Sequence, residues 1–382
     1  MTETTSDSAA MQAIATRRAP RPAALSALAT ALGSRLPLVP ASFFGIVLGL
    51  IGLGNPWRVA VRVWGLPPLA GELIMLAGVA VWAIVLFLYA AKWILAREDA
   101  LAEVRHPIQC CFVGLAGVAT MMVSMAAAPY SPAAAELLFL GGLGFAVGFA
   151  VWRTGGFWMG GRPSEAMTPV LYLPTVAAGF VAASAASLHG YGALAQMCFG
   201  AAFFSWLGIE SVLLHRLLTG PPMEPALRPT LFILLAPPTV GGVAAANVMG
   251  DAWSLLPAAM LGYGALQALV LIRLLPWIAA ARFTPGYWGS AFGATAFAML
   301  ALRLTEKGAD PVIAALAPWL FAGANATVAA LAAATLGRLT QGELLTASAL
   351  PRRSAGAAEE ALRPPSETQP AGAGCPLQEI EP

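Results

Sequence analysis

Ten stretches of this chain are long enough and apolar enough to cross a lipid bilayer, and that narrows the possible folds more than any other feature. A spanning helix needs about 20 mostly apolar residues. The qualifying segments are roughly 39–57, 69–95, 107–128, 132–152, 169–188, 191–214, 229–248, 253–275, 285–304 and 311–336. Short breaks rich in proline, glycine or charge separate them, such as "APYSP", "TGPPMEPALRP" and "EKGADP". In lipid every backbone polar group must be satisfied within the protein, so only helices and closed barrels span. Barrel strands run about ten residues and alternate in polarity, and these segments do neither. Only 10% of the 382 residues are charged, against about 25% in soluble domains. The expected fold is an all-α polytopic membrane protein of ten transmembrane helices, arranged as five helical hairpins.

The flanks differ in composition. Residues 1–36 are polar and Ala-rich and hold Arg17, Arg18, Arg21 and Arg35. They read as a cytoplasmic extension with a short surface helix over 23–35, because a secretory signal would place its apolar run soon after the first basic residues. Residues 339–382 are rich in Pro, Glu, Ser and Gly, the composition of a disordered tail. The membrane domain is therefore 37–338. With the N-terminus cytoplasmic, every lysine and arginine falls on the inside except Arg58, Arg62, Arg303 and Lys307. That bias is the positive-inside signature and places both termini in the cytoplasm.

The odd-numbered segments share a pattern. Aligned on their first proline they read "PASFFGIVLGLIGLG" from Pro40, "PIQCCFVGLAGVATM" from Pro107, "PVLYLPTVAAGFVAA" from Pro169, "PTLFILLAPPTVGGV" from Pro229 and "PGYWGSAFGATAFAM" from Pro285. A period of about 60 residues is the mark of a repeated unit. Four of the five carry an aromatic residue three positions after the proline: Phe43, Tyr172, Phe232 and Trp288; Cys110 is the exception. Proline suits a first helical turn, where its missing N–H would be unpaired anyway. Deeper in, these segments hold helix-weakening residues: Gly45 and Gly49; Gly114; Pro174 and Gly179; Pro237, Pro238 and Gly241; Gly289 and Gly293. Irregular backbone at membrane depth is tolerated where it is buried or lines a watery cavity. Close helix packing through small residues is the competing account. The five-fold recurrence favours an inner ring of odd helices around a shared axis, with the even helices outside.

The seventh residue after each proline is Val47, Gly114, Val176, Ala236 or Phe292. On equal helical rise these lie at one depth, about 10 Å in, and only Phe292 carries a large ring. Phe292 is therefore the candidate plug, and Gly289 and Gly293 read as clearance for its ring. The polar candidates along the lumen are Ser42, Thr175, Thr239 and Ser290, and no odd segment has a charge in its interior. Arg105, Arg228 and Arg282 at the inner mouth would concentrate anions. Glu210 is the one deep carboxylate, and ionisable residues inside the membrane are functional candidates. It lies on an even segment, where it reads as a structural polar link more readily than as a proton relay. The four cysteines, Cys110, Cys111, Cys198 and Cys375, lack metal-site or disulfide-framework spacing. No catalytic cluster and no P-loop is present, so an enzyme or a primary pump is not expected, nor is a cofactor, a metal or a nucleic-acid partner.

Taken together, "PASFFGIVLGLIGLGNPWR", "HPIQCCFVGL", "LPTVAAGFVAA", "FSWLGIESVLLHRL", "RPTLFILLAPPTVGG", "GYGALQALVLIRLLPW" and "YWGSAFG" resemble the tellurite-resistance/dicarboxylate transporter family, which includes bacterial TehA and the plant slow anion channels. The resemblance covers residues 37–338. It implies a homotrimer with one pore per subunit, odd helices lining the pore, and a phenylalanine plug on the ninth helix, here Phe292 in "SAFG". It also implies anion-selective conduction. Two functions are carried forward. One is a gated channel for small monovalent anions; the other is a proton-coupled carrier of C4-dicarboxylates, sulfite or tellurite-like oxyanions.

Overall fold

The five proline-led segments all begin with tight backbone turns. In the computed structural model, which describes residues 37–249, 255–280, 282–308 and 310–346, the stretches Ala41–Phe43, Gln109–Gly114, Pro169–Tyr172, Pro225–Leu235 and Pro285–Trp288 are 3-10 helix. Proline lacks the N–H that an α-helical ladder needs and crowds the carbonyl four residues back. The tighter turn accommodates it. Each then widens into α-helix: α1 (Phe44–Trp64), α4 (Leu115–Ala127), α6 (Ala178–Leu188), α8 (Ala236–Val248) and α10 (Gly289–Glu306). Before α6 a π-helical stretch, Leu173–Ala177, surrounds Pro174.

The returning helices are longer. They are α2 (Pro68–Leu95), α5 (Pro132–Trp158), α7 (Gly192–Thr219), α9 (Leu255–Ala279) and α11 (Pro311–Thr340). The helix α3 (Arg97–Arg105) connects the first hairpin to the second, and α12 (Glu343–Thr346) follows α11. No strand occurs among the described residues. The helical region thus runs past position 338. The expected surface helix over 23–35 and the tail from 347 lie outside the described residues.

Burial separates the two sets. The most apolar stretches of the segments containing α1, α4, α6 and α8 are 61–83% buried, and those of α2, α5, α7, α9 and α11 only 22–33%. Those nine are apolar and long enough to cross a membrane. The tenth, α10, carries Ser290, Thr295, Arg303 and Glu306 and is less apolar, yet most of its residues are buried. Exposed side chains on the long helices are large and apolar, among them Phe87, Leu137, Phe204, Leu269 and Trp319. Such a surface suits lipid, and the chain is a multi-pass membrane protein.

Each odd helix packs on the helix that follows it: α1 on α2, α4 on α5, α6 on α7, α8 on α9, α10 on α11. Odd helices also pack on one another, α1 on α4, α4 on α6, α6 on α8, α8 on α10, and α10 on α1. Small residues make the last contact possible. A Cβ on Gly49 would lie 2.6 Å from the Trp288 ring and 2.8 Å from the Ala291 methyl. Gly49→Ala is expected to lower stability by about 1–3 kcal/mol, the usual cost of overpacking. Unfolding of the purified chain in a denaturing detergent series checks this; an unchanged midpoint would refute the close approach.

The start of α1 is held by a buried ion pair. Glu103 of α3 accepts from Lys92 Nζ of α2 at 2.8 Å and from the Ala41 N–H at 2.7 Å. Both charged side chains are nearly inaccessible. Removing one partner alone would strand the other charge.

Candidate functional site

Among the described residues, two cavities are lined by the odd helices and their flanking turns alone. The first, about 40 Å3, sits among the N-terminal turns of those helices. Ser42, Gly45 and Leu48 of the first hairpin line it, with Phe112, Tyr172, Pro237 and Trp288 from the other four. A space of that size holds on the order of three waters. The second, about 380 Å3, opens among the C-terminal ends: Asn55, Met122, Ser184, Asn247 and Arg303 represent the same five hairpins. Phe292 and Val240 line both cavities.

Phe292 is 8% exposed and stands where the two cavities meet. Its ring is 3.8 Å from where a Cβ would sit on Gly52, an ordinary contact distance, so the ring packs beside α1. The Thr239 hydroxyl of α8 donates to the Leu235 carbonyl at 2.7 Å and lies 3.2 Å from the Gly293 carbonyl, and the Thr295 hydroxyl donates to the Phe292 carbonyl at 3.1 Å.

Other site residues fall elsewhere than expected. Val47 and Gly114 line neither cavity, while Phe112, Tyr172, Phe180 and Trp288 bring further rings into the first. Phe292 is therefore not the only large ring lining that cavity. Counting seven residues from each proline assumes equal rise and rotation. A 3-10 turn rises about 2.0 Å per residue with three residues per turn, against about 1.5 Å and 3.6 in an α-helix. The leading 3-10 stretches run from three to eleven residues, so equal counts end at different depths and on different faces.

The glycines beside Phe292 are packed against a neighbouring segment. A Cβ on Gly289 would lie 2.9 Å from Ile233, and one on Gly293 3.0 Å from Leu235. They admit the Pro225–Leu235 segment at close range. Gly179 is filled in the same way by Ala202 of α7, and Gly241 by Phe180 and Met260. Gly45 is looser, with Trp288 Cβ at 3.4 Å, and Gly114 meets Phe149 of α5 at 3.1 Å. Packing through small residues describes these contacts.

Of the hydroxyl candidates, Ser42 lines the first cavity. Ser290 donates to the Tyr287 carbonyl at 2.8 Å, Thr239 is wholly buried between helices, and Thr175 Oγ1 is buried with no partner among the described residues. The second cavity draws its polar lining from Asn55, Ser184, Ser187, Asn247 and Thr295 instead. Arg105, Arg228 and Arg282 line neither cavity; Arg228 stacks over the Trp277 ring at 4.2 Å. What the sequence reading missed is that Arg58, Arg62, Arg303 and Lys307 all line the second cavity. The available signal was that these four are the whole exception to the positive-inside bias.

Their partners are defined. Arg58 binds Glu72 through two bonds of 2.8 and 2.9 Å and donates to the Ala126 carbonyl at 3.1 Å. Arg62 and Arg303 share Glu306, at 2.6 and 3.0 Å. Lys307 Nζ donates to the Ala246 carbonyl at 2.9 Å.

Glu210 is a link between helices. Its buried carboxylate accepts from Trp206 at 2.9 Å, Tyr263 at 2.6 Å and Gln267 at 3.4 Å, and from Tyr172. Tyr172 lines the first cavity, so α7 and α9 hold a cavity residue through one carboxylate. Cys110 and Cys111 are fully buried, and Cys110 Sγ accepts from Arg153 at 2.8 Å. Among the described residues no cluster of His, Cys, Asp or Glu could hold a metal ion.

Bilayer-length helices with apolar outer faces, enclosing cavities that only the buried helices line, define a polytopic membrane transport protein. Residues 39–336 match the family described as voltage-dependent anion channel (SLAC1), and the chain belongs to that family. It is 31% identical over 307 residues to a protein named tellurite resistance protein TehA homolog from Haemophilus influenzae, a match covering 80% of this chain and 92% of that relative. Membership makes this an anion-transport protein of the channel type.

Proposed function

We propose that the five odd helices form a ring around an anion-selective pore, that Phe292 closes it, and that small monovalent anions are its cargo. One observation carries the reading: two cavities lined by all five odd hairpins meet at Phe292. The neighbour relations of α1, α4, α6, α8 and α10, which return to their start, support the ring. A lumen without a carboxylate on its lining and with cations at one end favours anions by sign, and weak sites favour throughput. The chain sits in a bacterial inner membrane with both termini cytoplasmic and the second cavity facing out. Three copies assemble, each with its own pore, and residues 37–338 are the conducting domain between terminal extensions.

The test is a reversal-potential measurement on reconstituted Phe292→Ala under an anion gradient, with chloride, nitrate and a C4-dicarboxylate in turn. Potentials that track the anion gradient support the channel. Potentials that track protons, with uptake abolished in Glu210→Gln, support the proton-coupled carrier of dicarboxylates, sulfite or tellurite instead. The engagement of Glu210 by four donors favours the channel.

A further inference from the structure

A third space lies on the outer side of the bundle. It is a groove of about 660 Å3, with α2 on one side, α5 on the other and the inner helix α4 as its floor. Both α2 and α5 pack on α4, and the groove follows the gap between them. Its walls are apolar, Leu86, Trp93, Ile94, Phe145 and Trp152 among them, and Ile94, Phe145 and Trp152 are exposed. Along α5 the lining runs from Gly141 to Trp152, about 16 Å of helix. That is about half of the roughly 30 Å hydrocarbon core, the depth of one leaflet. Charge gathers at one end. Arg153 follows Trp152, and its guanidinium lies 5.9 Å from the Trp152 ring. Arg153 and Arg162 both stand over the Phe157 ring, at 4.7 and 4.5 Å, so two cations share one place. A guanidinium carries five N–H donors. Among the described residues Arg153 gives one to Cys110 Sγ and Arg162 one to the Ala166 carbonyl, and neither pairs with a carboxylate. Lys92, over the Tyr89 ring at 5.7 Å, is already paired with Glu103. Trp93 and Trp152 belong to the same end of the groove, and tryptophan favours the membrane–water interface.

We propose that this groove is a binding site for an anionic phospholipid, with one acyl chain laid along α4 between α2 and α5 and the phosphate held by Arg153 and Arg162. An apolar slot of one leaflet's depth, with cations at its interfacial end, has the polarity profile of that lipid: chain, then phosphate. Basic pockets at the ends of spanning helices bind phospholipid head groups, and a guanidinium fork matches a phosphate through paired bonds. The site is separate from the two cavities of the candidate pore, yet one turn joins them. Val113 and Ala116 line the groove, while Phe112 and Leu115 beside them line the first cavity. A bound chain therefore buttresses the outer side of a wall whose inner side faces that cavity. The lipid site does not depend on the pore reading.

The full chain, purified and stripped of lipid in detergent, is titrated with phosphatidylglycerol or phosphatidylcholine, and bound lipid is counted by native mass spectrometry. Phosphatidylglycerol is expected to bind at least about tenfold more tightly, at about fivefold per arginine. Arg153→Gln and Arg162→Gln should each weaken it by about that fivefold. Gly141→Phe tests the chain slot without touching the arginines. Nothing stands within 4 Å of where a Cβ on Gly141 would lie, so the variant folds and its ring fills the groove. It should weaken phosphatidylglycerol binding by about fivefold or more. Gly144→Phe, equally open on the same helix and outside the groove, should leave binding unchanged. Phosphatidylglycerol should also raise the unfolding midpoint of the parent chain and not that of Gly141→Phe. Equal binding of the two lipids, or unaltered binding in Gly141→Phe, would overturn the site. So would displacement of the lipid by glycerol 3-phosphate, because the arginines would then take a free phosphate and the groove no chain. Disulfide-linked dimers from Phe145→Cys, with Cys375→Ser removing the C-terminal thiol, would give the groove to a second copy and overturn the lipid as well.

Discussion

Phe292→Ala in a planar bilayer is expected to pass a steady anion current at least about tenfold above the parent chain, which corresponds to lowering the barrier by about 1.4 kcal/mol. The ring occupies the place where the cavity among the N-terminal turns meets the one among the C-terminal ends. Deleting it joins the two. The first cavity is lined by Leu48, Phe112, Phe180 and other apolar groups, so an anion there must shed water against a hydrophobic wall, and a hydrophobic constriction gates by excluding water. Phe292→Leu should give an intermediate current, and Val240→Ala, which also widens the junction, a smaller rise than Phe292→Ala. Because Gly289 and Gly293 pack on Ile233 and Leu235, opening of the parent chain is expected to move the Pro225–Leu235 segment against α10 as well as the ring. Gly293→Ala should therefore alter opening in the parent chain while leaving the Phe292→Ala current intact. A folded Phe292→Ala protein that carries no current would end the plug reading.

The second large effect is on stability. Glu210→Ala is expected to cost about 3–6 kcal/mol, since buried donors left without an acceptor cost about 1–3 kcal/mol each. Tyr172, Trp206, Tyr263 and Gln267 all lose their common acceptor. Three helical elements depend on it: the turn Pro169–Tyr172, α7 and α9. Glu210→Gln keeps one carbonyl acceptor and should cost less. Tyr172→Phe removes a single donor and should cost about 1 kcal/mol, while keeping the ring on the first cavity. Detergent-induced unfolding of the purified variants ranks these effects. Equal stability of Glu210→Ala and the parent would show that the network carries no weight.

Much of the architecture was legible because the bilayer imposes it. Hydrocarbon thickness dictates segment length, so counting apolar residues found the nine helices long and apolar enough to span, and it also picked out α10, which is less apolar. The prolines marked the starts of the odd helices, and each opened into a 3-10 turn because proline denies the α-helical ladder a donor. Small residues in the odd helices signalled close approach, although the sequence could not distinguish clearance for a side chain from contact with a neighbouring backbone. Gly293 meeting Leu235 decides that in favour of contact.

Depth and facing were beyond the sequence. Leading 3-10 turns of different length rotate each helix by a different amount, so Ala236 reaches the first cavity and Val47, at the same count, does not. The cations show the same limit from the other direction. Charge bias alone marked Arg58, Arg62, Arg303 and Lys307 as exceptions, because insertion sorts basic residues by side of the membrane. Only the packing of α1 against α10 put them around one space. The sequence by itself determined what lies within the membrane and where each helix starts, through hydropathy, length and proline chemistry, which act locally. Tertiary structure alone decided which side chains share a cavity, because that depends on the rotation of each helix about its axis and on the neighbour it packs against.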